Sequence, residues 1–293
     1  MTEVKIAGAP ISWGVCEVPN WGYQMDAARV LKEMAELGLG STEFGPEGFL
    51  PIEANARAAV LHQHSMSAVG GFFPVKMHLS DYDPMPVIEA EIKACVAAKA
   101  EVLVLSAVTG LDGYDTKRPE LDAAGWAHFT ANLDRISHYA AGFGITAVLH
   151  PHVGTMVETQ DDIQHVLEGS KIMFCLDTGH MIIGGADPVA FAKNHSDRIA
   201  HSHLKDVNLA VANRVQSGEI TYYQGILAGM YVPLGAGDVD IRSIVTSLVQ
   251  AGYDGWFVLE QDNVVTEEPA PGEGPLQDAR KSVAFIRSVA AGL

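Results

Sequence analysis

The sequence has few basic residues, few cysteines and no long apolar run. Its 293 residues contain 19 Lys and Arg against 36 Asp and Glu, which gives a formal net charge of −17. Nucleic acids and anionic membrane surfaces both attract basic surfaces, so this balance argues against either as a partner. No segment reaches the roughly 20 apolar residues that a membrane-spanning helix needs. We therefore expect neither a nucleic-acid-binding protein nor a membrane protein.

Cysteine usage and the first residues bear on the compartment. The chain contains three widely spaced cysteines, Cys16, Cys95 and Cys175, without a CxxC pair. Such a set predicts free thiols in a reducing compartment and no disulfide framework. The opening residues, MTEVKIAGAP, show neither the basic segment nor the apolar core of a secretory signal. We expect a cytoplasmic protein, and its composition allows a homo-oligomer.

What the sequence does contain is a regular alternation of short apolar runs and helical patterns. Eight runs read as strands: VKIAGAPIS, GSTEFG, SAVGGFFPVKM, EVLVLSAV, ITAVLHP, KIMFCLD, RIAHSHL and GWFVLE. Apolar strands separated by helices are typical of a parallel sheet covered on its outside. Eight such units favour an α/β fold consisting of one (β/α)8 TIM barrel over residues 1–293. An open doubly wound sheet is the alternative, but no GxGxxG follows the first strand.

In such barrels the active site lies where the strands end, so polar residues there indicate function. Four late strands end in side chains that can bind a metal: His150 and His152, Asp177 with His180 just beyond, His201 and His203, and Glu260. Mixed imidazole and carboxylate ligands suit Mn²⁺, Co²⁺, Fe²⁺ or Zn²⁺, and suit Mg²⁺ less. Strand alternation places His201 and His203 on one face, and we expect only one of them to bind.

Each of these residues also has a structural interpretation. Asp177 stands before TGH, where its carboxylate could cap a short turn. His180 could be a hydrogen-bonded loop histidine. We favour the metal site because the structural interpretation needs separate coincidences at four neighbouring strand ends.

Other strand ends add polar and aromatic groups. Glu43 closes the second strand and Ser106 the fourth, while Trp13 and Cys16 follow the first. Trp13 and Trp21 could form an apolar wall over a ring-shaped substrate, or could simply pack within their loop. A long segment at about 205–238 follows the seventh strand, and its apolar and aromatic residues predict a partly helical lid over the site.

Several motifs in chain order resemble a known enzyme family. These are APISWGVCEVPNWGYQ, TEFGPEGFLP, HPHVGT, LDTGH, HSHLKD, GMYVPLGAGDVD and GWFVLE. They are similar to the inosose dehydratases (2-keto-myo-inositol dehydratases) of inositol catabolism, within the xylose isomerase-like, or sugar phosphate isomerase/epimerase, superfamily.

The resemblance implies a divalent metal, Mn²⁺ or Co²⁺ above all. Its ligand positions match Asp177, His203 and Glu260. The fifth-strand position, usually glutamate, is His150 here, which leaves His150 or His152 as the fourth ligand. His180 matches a residue that contacts substrate hydroxyls. Lys205 and Asp206 match the HxKD run. The expected substrate contacts are Asp206 and the strand-end residues Trp13, Cys16 and Ser106.

The implied reaction begins at the weakly acidic α C–H of a keto-polyol. A metal on the carbonyl oxygen would stabilise an enediolate, which then expels a β-hydroxide or is reprotonated on the other face. His152 or Lys205 is the expected acid, and Glu43, His180 or Glu260 the base. We expect a metal-dependent hydro-lyase acting on a keto-inositol, with an isomerase or epimerase of a related keto-sugar as the alternative. The net negative charge argues against a phosphoesterase that acts on nucleic acid. The intact set of Asp, His and Glu ligands argues against a barrel that binds a sugar without turnover.

Overall fold

The computed structural model describes residues 4–293 and consists of a closed parallel barrel surrounded by helices. The barrel strands are β1 Lys5–Gly8, β2 Ser41–Glu43, β3 Ser67–Val75, β4 Val102–Ala107, β5 Thr146–Leu149, β6 Met173–Asp177, β7 Ile199–Leu204 and β10 Trp256–Leu259. Round the barrel they follow the order β1, β10, β7, β6, β5, β4, β3, β2. The predicted eight-unit barrel is confirmed.

The helices follow the predicted alternation, with additions late in the chain. They are α1 Ala27–Glu36, α2 Ala54–Gln63, α3 Met85–Ala98, α4 Ala123–Ala141, α5 Gln160–Gly169, α6 Thr178–Ile183, α7 Pro188–Asn194, α8 Leu209–Gln216, α9 Tyr222–Leu227, α10 Ile241–Gln250 and α11 Pro275–Ala290. Asp26 caps α1, its carboxylate accepting a hydrogen bond from the backbone N–H of Ala28. Within residues 4–293, no helix has the length and apolar character needed to cross a membrane.

The main apolar core lies between the barrel and its helices, and smaller apolar clusters fill the barrel interior. One interior cluster contains Ala7, Ala9, Val69 and Val258. The other contains Val102, Val104, Val148 and Cys175. Small and branched side chains close the interior, as layered packing in such barrels requires. The polar side chains at the strand ends therefore lie above a dry apolar floor.

The long segment after β7 is compactly folded. In chain order it contains β8 Asp206–Val207, the helices α8 and α9, and β9 Tyr231–Val232. The two short strands pair as an antiparallel ribbon. Tyr222, Met230 and Tyr231 are buried in a separate apolar cluster that also includes Trp21 and Val153. The segment is partly helical, as the sequence predicts. Its role as a lid stays a prediction.

Asp206 holds this segment in place. Its carboxylate accepts hydrogen bonds from the backbone N–H groups of Val207, Gly235, Gly237 and Val239 at 2.8–3.1 Å. Gly237 approaches so closely that an added Cβ would lie 2.3 Å from Oδ1 of Asp206. The predicted substrate contact by Asp206 is therefore corrected, because backbone donors occupy both oxygens of this fully buried carboxylate.

Candidate active site at the barrel mouth

A cavity of about 560 Å³, including its opening, lies at the carboxyl ends of the strands. Its polar lining comprises Glu17, Glu43, His150, His152, His180, Lys205, Glu260 and Asp262. Its apolar lining includes Ile11, Val15, Trp21, Phe72 and Tyr114. The mixture of aromatic walls with a few convergent polar groups is typical of a small-molecule site.

Asp177 ends β6 and uses its two carboxylate oxygens differently. Oδ1 accepts hydrogen bonds from the backbone N–H groups of Gly179 and His180, both at 2.8 Å, and so caps α6. Oδ2 lies 2.7 Å from Nζ of Lys205 and 3.1 Å from Nε2 of His150. The predicted cap is therefore present on one oxygen, and the other oxygen faces the site, where its role as a metal ligand stays a prediction.

His203 on β7 lies opposite Asp177 in the β6–β7 register. Its Nδ1 is 3.2 Å from Oε2 of Glu260 and 3.6 Å from Oδ2 of Asp177. Ligand atoms of these three residues lie within 4.8 Å of one another. Although fully buried, this Nδ1 forms no hydrogen bond of acceptable geometry within residues 4–293. A buried imidazole nitrogen beside two carboxylates is a suitable ligand set for a divalent cation, which could be bound by all three residues at once.

The other imidazole of β7, His201, serves a different partner. Its Nε2 lies 2.9 Å from Oε1 of Glu43, and Nε2 of His203 lies at the same distance from that same oxygen. Burial raises the pKa of Glu43, but the charge of His203 and the hydrogen bonds from both histidines outweigh it, so the pKa lies well below its usual value. Glu43 is therefore ionised, and its role in proton abstraction stays a prediction.

Lys205 is buried among carboxylates. Its ammonium contacts Glu260 and Asp177, and lies 3.4 Å from Oδ1 of Asp262. Burial alone would lower the pKa of Lys205, but these three carboxylates raise it well above its usual value. The side chain is therefore a fixed positive charge that lines the cavity.

The rings of His152 and His180 lie against each other in the lining, with ring centroids 3.7 Å apart and a tilt of 32° between the rings. Burial, helped by the neighbouring His150, lowers the pKa of His152 to about 3. Burial and His152 likewise hold the pKa of His180 well below its usual value. Both rings are therefore neutral near pH 7. The roles of His152 and Lys205 as acids, and of His180 as a base, stay predictions.

His150 lies closer to the acidic cluster than His152 does. Its Nε2 contacts Asp177, whereas Nδ1 of His152 lies 2.7 Å from the carbonyl oxygen of its neighbour Val153. Nδ1 of His150 is buried without a hydrogen-bond partner among the described residues. This geometry favours His150 as the fourth metal ligand, which stays a prediction.

The predicted substrate contacts divide into those at the cavity and those away from it. Cys16 lines the cavity. Trp13 lies in the core, where its Nε1 donates a hydrogen bond to Glu33, and this corrects its predicted role as a substrate wall. Trp21 occupies that wall instead. Ser106 alternates with the interior residues Val102 and Val104, so it faces the barrel interior without lining the cavity.

Sequence reasoning missed Asp262 and its contacts with the tyrosines of the segment after β7. Asp262 accepts a hydrogen bond from the Tyr222 hydroxyl at 2.7 Å, and that hydroxyl lies 3.0 Å from the hydroxyl of Tyr231. Asp262 also lies 3.4 Å from the Lys205 ammonium, so these contacts join the segment to Lys205. The signal for Asp262 was its position two residues after Glu260 in LEQD, which predicts the same side for both. No short-range pattern predicted which carboxylate the tyrosines contact.

A family model for the xylose isomerase-like TIM barrel matches residues 84–289. The chain belongs to the xylose isomerase-like TIM barrel family. Among relatives of this family, an inosose dehydratase of Geobacillus kaustophilus is 30% identical over 88% of this chain and 87% of its own. The rhizopine catabolism protein MocC of Rhizobium meliloti is 29% identical, covering 89% of this chain and 82% of its own. The predicted relationship to the inosose dehydratases is confirmed, and the chain is an enzyme of this family.

A solved structure shows how closely the fold is shared with another protein. The crystal structure of the IolI protein with a bound zinc atom superposes with a TM-score of 0.72 at 12% identity, covering 99% of both chains. At that identity the likeness concerns the fold alone. It places the same barrel, with strand ends facing one mouth, in both proteins.

Proposed function

We propose that this enzyme is a divalent-metal-dependent hydro-lyase that removes water from a keto-inositol. The observation that carries the proposal is the convergence of Asp177, His203 and Glu260 within 4.8 Å. Glu260 lines the cavity, which also presents an ammonium group and neutral imidazoles. The reaction class and the inosose substrate are proposed from the names of the dehydratase relatives. Metal dependence is proposed from the donor set, in which the buried Nδ1 of His203 faces two carboxylates.

The residues that would hold the cation are Asp177, His203 and Glu260, with His150 as the fourth. A divalent cation supplies Lewis-acid polarisation of a carbonyl oxygen, which lowers the cost of negative charge there. Imidazole and carboxylate donors favour Mn²⁺ or Co²⁺, and also accommodate Zn²⁺ or Fe²⁺. Mg²⁺ suits the imidazole nitrogens least.

The remaining lining residues divide the proton transfers. A neutral imidazole, His152 or His180, takes the proton from the carbon beside the carbonyl. The Lys205 ammonium gives its proton to the departing β-hydroxyl, which leaves as water. An elimination with two proton transfers requires one group that accepts a proton and another that donates one. The cavity contains both kinds of group, a neutral imidazole and an ammonium.

The aromatic lining supports a ring-shaped substrate. Trp21, Phe72 and Tyr114 present apolar surface to the cavity, and ionised and imidazole groups share its wall with them. A cyclitol needs both kinds of surface, because its ring C–H groups pack on aromatic faces and its hydroxyls need polar partners.

The test is incubation of the purified protein with scyllo-inosose and Mn²⁺ or Co²⁺, followed by mass spectrometry and NMR. Loss of one water with formation of a dione supports the hydro-lyase. A product of unchanged mass and altered stereochemistry would instead identify an isomerase or epimerase. Asp177→Asn is the control for the metal site, and we expect it to abolish turnover. Turnover at the wild-type rate by metal-free protein would refute the metal requirement.

A further inference from the structure

Glu43 makes a contact across the barrel interior that the proposed proton transfers do not use. It lies at the end of β2, and its partners His201 and His203 lie on β7. Two other strands, β1 and β10, separate β2 from β7 round the barrel. All three side chains are almost completely buried. The contact is therefore made in the dry interior, where a misplaced hydrogen bond has no water to replace it.

The two nitrogens of His203 face different groups. Nε2 lies 2.9 Å from Oε1 of Glu43 and is the donor in that hydrogen bond. Nδ1 faces Glu260 at 3.2 Å and Asp177 at 3.6 Å. An imidazole that binds a cation is neutral and carries one N–H and one lone pair, so a hydrogen kept on Nε2 would leave the lone pair on Nδ1. That lone pair would then be available to a cation held between the two carboxylates.

We propose that Glu43 is a positioning residue that fixes the ring and tautomer of His203, so that Nδ1 is presented to a divalent cation beside Asp177 and Glu260. The inference rests on the metal site of the proposed function. Carboxylate partners of metal-binding histidines act in this way in other metal sites. His201 donates to the same oxygen of Glu43 and orients the carboxylate without reaching the cation.

This role differs from the two others open to Glu43. As a base it would have to offer a free oxygen to the substrate, but two imidazoles share Oε1. As a ligand it would form a second cation site with His201 and His203, whose donor atoms also lie within 4.8 Å. The hydrogen-bonding distances of 2.9 Å favour the positioning role, and binding stoichiometry distinguishes the two.

The experiment measures Mn²⁺ affinity by titration calorimetry and Co²⁺ coordination by visible absorption, in the full-length chain. Glu43→Leu is expected to weaken Mn²⁺ binding about 10- to 100-fold and to change the Co²⁺ spectrum. Glu43→Gln keeps an oxygen that both imidazoles can bond, so it is expected to restore most of the affinity. His201→Phe is the matched control, because it removes the other donor to Glu43 and is expected to leave one site with nearly wild-type affinity.

Several results would overturn the proposal. Wild-type Mn²⁺ affinity in Glu43→Leu would show that Glu43 does not position the ligand. Unchanged affinity with lost turnover would make Glu43 a catalytic base. Two ions per wild-type chain, falling to one in Glu43→Leu, would make it a ligand. If the wild-type chain itself binds no metal, it is the proposed function that fails.

A measurement without variants covers the case in which Glu43→Leu does not fold. In Zn²⁺-loaded wild-type protein, ¹⁵N NMR of the histidines is expected to show His203 protonated at Nε2 and metal-bound at Nδ1. The opposite assignment would overturn the proposal, because Glu43 would then face the coordinated nitrogen.

Discussion

The division of labour between the two oxygens of Asp177 can be tested by comparing Asp177→Asn with Asp177→Ala. Both variants lose the negative charge that faces Lys205 and His150. Asparagine caps helices as well as aspartate, so its side-chain oxygen can still accept from the backbone N–H groups of Gly179 and His180. Alanine cannot. The difference in unfolding free energy between the two variants therefore measures the contribution of the cap. The loss of Mn²⁺ affinity that both variants share measures the contribution of the charged oxygen.

The structure sets the expected magnitudes. The two hydrogen bonds to Oδ1 are 2.8 Å long and buried, so the lost cap should cost about 1–2 kcal/mol of unfolding free energy in Asp177→Ala relative to Asp177→Asn. In a chain of this length that difference corresponds to a melting temperature lower by about 2–4 °C. Both variants should bind Mn²⁺ at least about tenfold more weakly than wild type, because the carboxylate oxygen facing His203 is gone.

The assay is urea and thermal unfolding of metal-free protein, since bound metal would add its own stabilisation. Mn²⁺ affinity is measured separately. Equal stability of the two variants would refute the cap on α6. Wild-type Mn²⁺ affinity in Asp177→Asn would refute the assignment of Oδ2 to the metal.

Two further predictions concern packing and the cavity. An added Cβ at Gly179 would lie 2.6 Å from a ring carbon of Tyr231 and 2.8 Å from Cβ of Lys205, so Gly179→Ala should lower unfolding free energy by about 1–3 kcal/mol and reduce turnover. Gly40→Ala, where nothing lies within 4 Å, is the control, and equal losses in both would contradict the steric reasoning. Cys16 is half-buried at the cavity, whereas the other two cysteines are fully buried, so a thiol reagent should label Cys16 alone, and more slowly with inosose present. Labelling unaffected by inosose would place the substrate elsewhere.

The sequence was sufficient to predict the barrel and most of its mouth. Apolar runs of strand length alternating with helical patterns predicted eight units, and each predicted strand overlaps an observed one. Because parallel strands end at the same mouth, their terminal residues Asp177, His203 and Glu260 could be brought together without knowing any distance. That inference therefore depended on the local pattern of apolar residues and on the rule that parallel barrel strands end at the same mouth.

What the sequence could not predict depends on the directions of side chains and on contacts between residues that are far apart in the chain. The spacing in HSHLKD does not say that Lys205 lies among carboxylates. Nothing in the local pattern pairs Glu43 with His201, which is 158 positions further along the chain. Trp13 and Trp21 stand in one loop, yet only Trp21 reaches the cavity, because Trp13 bonds to Glu33 in α1. The choice between them is made by tertiary packing.

The contact between Glu43 and the two β7 histidines also has a consequence for the order of assembly during folding. The proposed ligands come from β5, β6, β7 and β10, and the residue that orients His203 comes from β2. A half-barrel ending near residue 150 would contain Glu43 and His150 but neither Asp177, His203 nor Glu260. Metal affinity should therefore appear only after the last strand has closed the barrel, so the ion can report completed folding but cannot nucleate it.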